Sequence, residues 1–291
     1  MKYIHAATIG GGQDGSIYGD LLFRFDADGS GRVFCLDGVT ADRADPLGLA
    51  PVAEFRLGGA DRVIPHCNSV VFGAERWEEG DEFPLLYANV YNNYGKTYKT
   101  KTGDRLEGTA CVYRVRRDGV SFAADLVQLL RIGFVEDRSL WKSFDSDIRP
   151  YGNFVVDAEN RKLHAFVMRD AEQVTRFFAF ELPGAHDGVF DAEFGVPVVT
   201  LTPADILYHY DASYMRYMQG ACCRNGKIWS CEGGNPEDPS AIRVIDTDLR
   251  AEVLFDNAAA RGMPMEAEFI DFWGDTLIYS DAKGVLYFVK P

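Results

Sequence analysis

Polar side chains stand immediately ahead of apolar runs at several places along the chain. His66 and Asn68 precede Val70-Val71-Phe72, Asn153 precedes Phe154-Val155-Val156, Gln219 precedes Ala221-Cys222-Cys223, and Glu266 precedes Ala267. Imidazole, amide and carboxylate groups are the donors and acceptors that would ring a hydroxyl-rich molecule. A second group of candidates lies in loops. The stretch "NVYNNYGKTYKTKTGDRLE" (89–107) carries Asn92 among several tyrosines. Such rings stack on sugar faces while amides bond sugar hydroxyls. The stretch "EDRSLWKSFDSDIRPYGN" (136–153) offers Trp141, Asp147, Arg149 and Tyr151, and later loops offer Arg169 and Glu232. For catalysis, Glu266 with Asp147, or Glu266 with His66, would make an acid and base pair of the kind glycosidases and lyases use. The structural alternative is that these groups bond backbone and channel water within the fold.

Other chemistries lack their motifs. There is no G-x-S-x-G elbow, H-E-x-x-H or P-loop. The glycine-rich "IGGGQDG" (9–15) opens no helix, so it makes a poor phosphate cradle. "DADGSGR" (26–32) imitates a calcium loop but lacks its distal glutamate, and reads better as a hairpin turn. The 5 histidines are scattered and no C-x-x-C occurs, so neither a metal nor a cofactor is expected. The 6 cysteines sit largely in apolar runs, as buried free thiols of a cytoplasmic protein would.

What must position these residues is a set of short strands. Apolar runs broken by Gly, Asp and Asn dominate, and helical periodicity is scarce; "TPADILYH" (202–209) is the best short-helix candidate. The runs repeat in order. One unit reads "HCNSVVFG", "FPLLYANVYNN", "GTACVYRVRRDG", "SFAADLVQLLRI". The next reads "YGNFVVDAENRKLHAFVMRD", "VTRFFAFELPG", "VPVVTLT", and a third reads "MQGACCRNGKIWSCEGG", "SAIRVIDTDLR", "AEVLFD". The last, "MEAEFIDFWGDTLIYSDAKGVLYFVKP", holds only three strands. Each unit begins on a strand apolar throughout, which implies burial on both faces. Its later strands alternate and carry charge, as outer strands should. The pattern predicts an all-β chain: one β-propeller over residues 1–291, with five four-stranded blades. Residues 3–9 are expected to supply the strand missing from the last blade.

"MQGACCRNGKIWSCEGGNPEDPSAIRVID" and "PMEAEFIDFWGDTLIYS" resemble blades of glutaminyl-cyclotransferase-like and quinoprotein-type propellers. The resemblance spans about two blades. It implies a propeller and a central ligand site, and it brings no matching set of cyclotransferase catalytic residues.

With 44 acidic against 30 basic residues, the net charge is −14, which repels phosphate backbones and anionic bilayers. Nucleic acid and membrane are therefore not expected as partners. The functional expectation is a small polar, carbohydrate-like ligand, such as a glycan, bound at the channel mouth. The alternatives are a sugar hydrolase or lyase and a protein-interaction scaffold.

Overall fold

The computed structural model describes residues 1–40, 47–63, 65–90, 108–131, 153–169, 172–215 and 218–290, with Asn153 placed by its backbone only. The chain opens on β1 (Lys2–Thr8), which joins the last sheet. The first sheet is β2 (Gly15–Tyr18), β3 (Leu21–Phe25), β4 (Ser30–Cys35) and, beyond the short β5 (Leu47–Gly48), β6 (Ala53–Arg56). The second begins with β7 (Val70–Phe72), β8 (Leu86–Val90), β9 (Thr109–Asp118) and β10 (Ser121–Arg131). The third holds β11 (Asn153–Asp157), β12 (Lys162–Arg169) and β13 (Val174–Glu181). After β14 (Val189–Asp191) and β15 (Val196–Thr200), β16 (Tyr208–Ser213) completes it. β17 (Met218–Arg224), β18 (Lys227–Glu232), β19 (Ala241–Asp246) and β20 (Ala251–Asn257) form the fourth sheet. The fifth is β21 (Ala267–Trp273), β22 (Thr276–Asp281) and β23 (Val285–Lys290), closed by β1, whose Tyr3 faces Val289.

Five sheets in a ring make a five-bladed β-propeller, as expected. The cores prove the ring. Successive side chains of a strand point to opposite faces. Val70 and Phe72 therefore enter a core with Phe23 and Val33 of the first blade, while Val71 enters one with Phe154 and Phe178 of the third. Val155 turns the other way, to Met218 and Ile245 of the fourth blade. Cys231 and Ile242 meet Ile270 and Tyr279, and Phe269 meets Leu22 and Phe34. Each blade thus shares one core with the blade before it and another with the blade after it. Outermost strands alternate instead: the exposures of β6, β16 and β20 switch residue by residue.

One strand expectation and one helix expectation are corrected. "VPVVT" does not finish the third blade; it pairs in parallel with the outer end of β10, Leu129 facing Val198, and enlarges the second sheet to six strands with β14. Val196 is drawn there by the Phe-rich core between the first two blades. The fourth strand of the third blade is β16, where Tyr210 stacks on Phe177 at 5.2 Å. The helix expected over 202–209 is one 3-10 turn, Pro203–Asp205, capped by Thr202 and Asp205. Tyr208 already belongs to a strand. The turn at 26–32 is a β3–β4 hairpin connection, with Ser30 N donating to Asp28 Oδ1 at 2.9 Å.

Ring closure brings backbone against backbone. Gly284, at φ +76°, lies so close to the chain leading out of β1 that an added Cβ would stand 1.8 Å from Gly10 O. Gly274 has a similar φ of +56° but open space around it. Both alanine substitutions should carry a left-handed penalty of about 1 kcal/mol. Gly284→Ala should lose at least about 2 kcal/mol more in urea unfolding, because the closing contact must shift. Equal losses in the two variants would refute the closing role.

Candidate functional site

The site is built at the starts of the innermost strands, β2, β7, β11, β17 and β21. At the starts of β17, β21 and β2 the ladder carries an extra residue. In β17, Met218 faces Glu232 and Gly220 faces Cys231, leaving Gln219 bulged between them. In β21, Ala267 faces Asp281 and Phe269 faces Ser280, leaving Glu268. Ahead of β2, Gln13 N donates to Phe25 O while Phe25 N donates to Asp14 O, so Gln13 and Asp14 share one partner. A bulge re-aims the side chain it carries. Gln219, Glu268 and Asp14 are therefore equivalent positions of three blades.

These residues meet about the axis. Asp14 Oδ2 accepts from Val70 N at 2.8 Å in the second blade, and a methyl group on Gly220 of the fourth would lie 2.8 Å from its Oδ1. Asn68 Nδ2 donates across to Met218 O at 3.4 Å, and its Oδ1 accepts from Asn89. Ser69 Oγ donates to Phe154 O of the third blade. Gln219 Nε2 donates to Glu266 Oε1 at 2.6 Å, on an exposed carboxylate at the rim. Arg24, on β3, is fully buried; its guanidinium donates to Gly12 O at 2.8 Å and to Glu268 O at 3.4 Å and lies over Phe269.

Beneath the Gln219–Glu266 pair lies an unusual group. Asp14, Arg24 and Glu268 are all buried, yet Asp14 Oδ1, Arg24 Nε and Glu268 Oε2 have no hydrogen-bond partner among the described residues. Burial pushes the Glu268 carboxyl up to about 8, with Glu266 adding to the shift and Arg24 opposing it. Burial also lifts Asp14 well above the carboxylate range, against the pull of the Val70 and Gly15 amides and of Arg24. The same loss of solvent lowers Arg24. Cys231 borders the group: a methyl on Gly220 would lie 3.3 Å from its Sγ. Its thiol is pushed up by burial and stays neutral, which makes it a poor nucleophile. All six cysteines are free, in keeping with the sequence expectation.

Of the candidates read from the sequence, Asn68, Gln219 and Glu266 come together here. His66 lies one residue from Cys67, whose carbonyl accepts Asp14 N at 2.9 Å. Burial holds its imidazole down to about 4, hence neutral at pH 7. Asn153 opens β11 opposite Phe166. Glu232 is engaged away from the axis, bonded to Arg243 at 2.6 Å, beside a cavity of about 150 Å³ that Tyr214 and Phe255 also line. Arg169 pairs with Glu172 at 2.7 Å. Asn92, Trp141, Asp147, Arg149 and Tyr151 lie outside the described residues. Pattern reading set Glu266 as the counterpart of Gln219; the bulges set the register two residues later, at Glu268. It also missed Asp14 and Arg24. The signal for Asp14 was present, since it precedes the run "SIY" as the others precede theirs.

Among the described residues, no helix is long and apolar enough to cross a membrane. No protein-family model matches the chain, and no curated protein matches it. Solved structures of similar fold include a glutaminyl cyclase from Myxococcus xanthus, 13% identical over 99% of this chain and 93% of that chain, with a TM-score of 0.48. An oxidoreductase described as a glucose dehydrogenase from Thermus thermophilus is 9% identical over 99% and 98%, TM-score 0.46. A luciferin-regenerating enzyme is 10% identical over 99% and 92%, TM-score 0.43. These are likenesses of fold, and nothing about this chain's chemistry follows from them.

The Glu268 carboxyl fixes a pH dependence. Its folded pKa of about 8 exceeds the unfolded value, so the folded state binds the extra proton. Stability should therefore fall as pH rises from about 4.5 to 8, by a few kcal/mol at most. Glu268→Gln should flatten this part of the curve and be the more stable chain at pH 8. Urea midpoints between pH 5 and 8.5 that decline equally in both chains would exclude a buried, proton-holding Glu268.

Proposed function

We propose that this propeller binds a small polar, carbohydrate-like molecule at the mouth of its central channel. Gln219 and Glu266 would contact it at the rim, and Asp14, Arg24 and Glu268 would contact it from below. The observation that carries this reading is the set of buried atoms without hydrogen-bond partners among the described residues, Asp14 Oδ1, Arg24 Nε and Glu268 Oε2. An unsatisfied buried polar group costs about 1–3 kcal/mol, and a ligand's hydroxyls would offset that cost. Asn68 serves differently under this reading. With both ends of its amide bonded to Asn89 and Met218, it would hold the rim in place.

A sugar hydrolase or lyase is the second reading, with Glu266 acting together with Asp147 or His66. The protonation states favour it: Glu268 holds its proton at pH 7, and the neutral His66 imidazole can accept one.

The binding reading is tested by a thermal-shift screen of neutral sugars and polyols at millimolar concentration. Hits should raise the midpoint as binding linkage requires, and Gln219→Ala and Asn153→Ala should weaken them by about tenfold, roughly 1.4 kcal/mol. A screen without any hit that these variants weaken would count against the site. For the catalytic reading, chromogenic glycosides should lose about 10²–10⁴ in turnover with Glu266→Gln. Undiminished turnover in that variant removes Glu266 from the reaction.

A further inference from the structure

At the channel mouth Asp14, Glu266 and Glu268 group with Arg24, the cation that acts on both buried acids. Two of those acids are buried, and one oxygen of each lacks a hydrogen-bond partner among the described residues. We propose that the molecule bound here carries a protonated amine, seated between the open carboxyl oxygens of Glu268 and Asp14, with a neighbouring hydroxyl or carbonyl oxygen accepting from Arg24 Nε. The proposal deepens the ligand-binding reading and rests on it. It narrows the ligand from any polar molecule to an amine that bears an adjacent oxygen.

Three observations select an amine. An anion would meet three carboxyls in a chain of net charge −14. A neutral polyol would make only neutral hydrogen bonds to these carboxyls, whereas an ammonium displaces the Glu268 proton and forms charge-assisted bonds about twice as strong. A metal ion is less suited, because no three described His, Cys, Asp or Glu side chains group closely enough to hold one.

The consequence is a proton linkage. Glu268 faces Arg24 from β3, Glu266 from the segment leading into its own strand, and the Cys231 thiol from β18; Asp14 acts on the same Arg24. Seating an ammonium favours the charged carboxylate, so the amine displaces the proton of Glu268 into solvent. Below the carboxyl's value of about 8 the affinity should rise with pH, approaching tenfold per unit, and level off above it. A neutral ligand has no such slope.

The test uses the whole chain and a matched pair of probes, glucamine (1-amino-1-deoxysorbitol) and sorbitol, with glucuronate and calcium chloride beside them. Titration calorimetry at pH 6, 7 and 8 should show glucamine bound at least about tenfold more tightly than sorbitol at pH 8, roughly 1.4 kcal/mol. The difference should shrink toward pH 6, with protons released to the buffer. Glu268→Gln, an isosteric change at a group already neutral, should abolish the pH slope. Glu266→Gln, at the exposed rim, should fold normally and weaken the amine preference while keeping the slope. Equal binding of sorbitol and glucamine, or tighter binding of glucuronate, overturns the amine and leaves the polar-ligand reading standing. Micromolar calcium binding that Glu268→Gln removes also overturns it, in favour of a metal site. No binding by any probe counts against the parent reading as well.

Discussion

Every inner strand of this ring is sandwiched between two cores, one shared with each neighbouring blade. Val70 and Phe72 look one way and Val71 the other; Phe154 and Val156 look one way and Val155 the other. No blade can bury its inner strand alone, so the sheets are stable only as a closed set. Closure in turn demands that the last blade be finished by the first segment of the chain. β1 does this, burying Ala6 and Ala7 in the core shared by the fifth and first blades. The chain then crosses to β2 through the glycine run 10–12, where backbone packs on backbone at Ala282 and Gly284. That run was a poor phosphate cradle by sequence, and its task in the fold is closure.

Two-faced burial also dictates where polar chemistry can go. Side chains along an inner strand are committed to cores, so polar groups can face the axis only where the ladder is interrupted at its start. The bulges at Asp14, Gln219 and Glu268 are that interruption, repeated in three blades. They bring together residues more than two hundred positions apart, such as Arg24 and Glu268. Arg24 reaches the axis from a second strand because the inner residue facing it, Gly15, has no side chain to block the way. The site is thus a by-product of the same strands that make the core, and it inherits their rigidity.

How much of this was legible in the sequence follows from what patterns can encode. Continuous apolar runs marked the inner strands, and alternation marked the outer ones, because burial on two faces or one leaves that trace in composition. The missing last strand pointed to β1 by the cost of an open edge. Partner choice left no such trace. "VPVVT" looks like any outer strand, and only the position of the Phe-rich core shows that it belongs to the second sheet. A bulge is equally silent in composition, since one extra residue changes register without changing residue type. Hence Glu266, two places early, was chosen over Glu268. Asp14 was passed over because the strand it precedes, Gly15–Tyr18, is too short to stand out as an apolar run.

Buried acids elsewhere in the ring help to decide what Glu268 is for. Asp271, partly buried on the same strand, is lifted by desolvation to about 6. Its oxygens, however, are fully engaged. Oδ2 accepts from Ile17 N at 2.7 Å and Ser16 Oγ at 3.0 Å, and Oδ1 accepts from Phe272 N at 2.8 Å. It fastens the fifth blade to the first, and its burial is offset by the bonds it accepts. Glu268 has a raised proton affinity and an oxygen with no hydrogen-bond partner among the described residues. An apolar side chain of similar volume at that bulge would remove the desolvation cost outright. A group that weakens the fold where it stands, beside a second such acid and a buried guanidinium, is better accounted for by what it binds than by what it holds together.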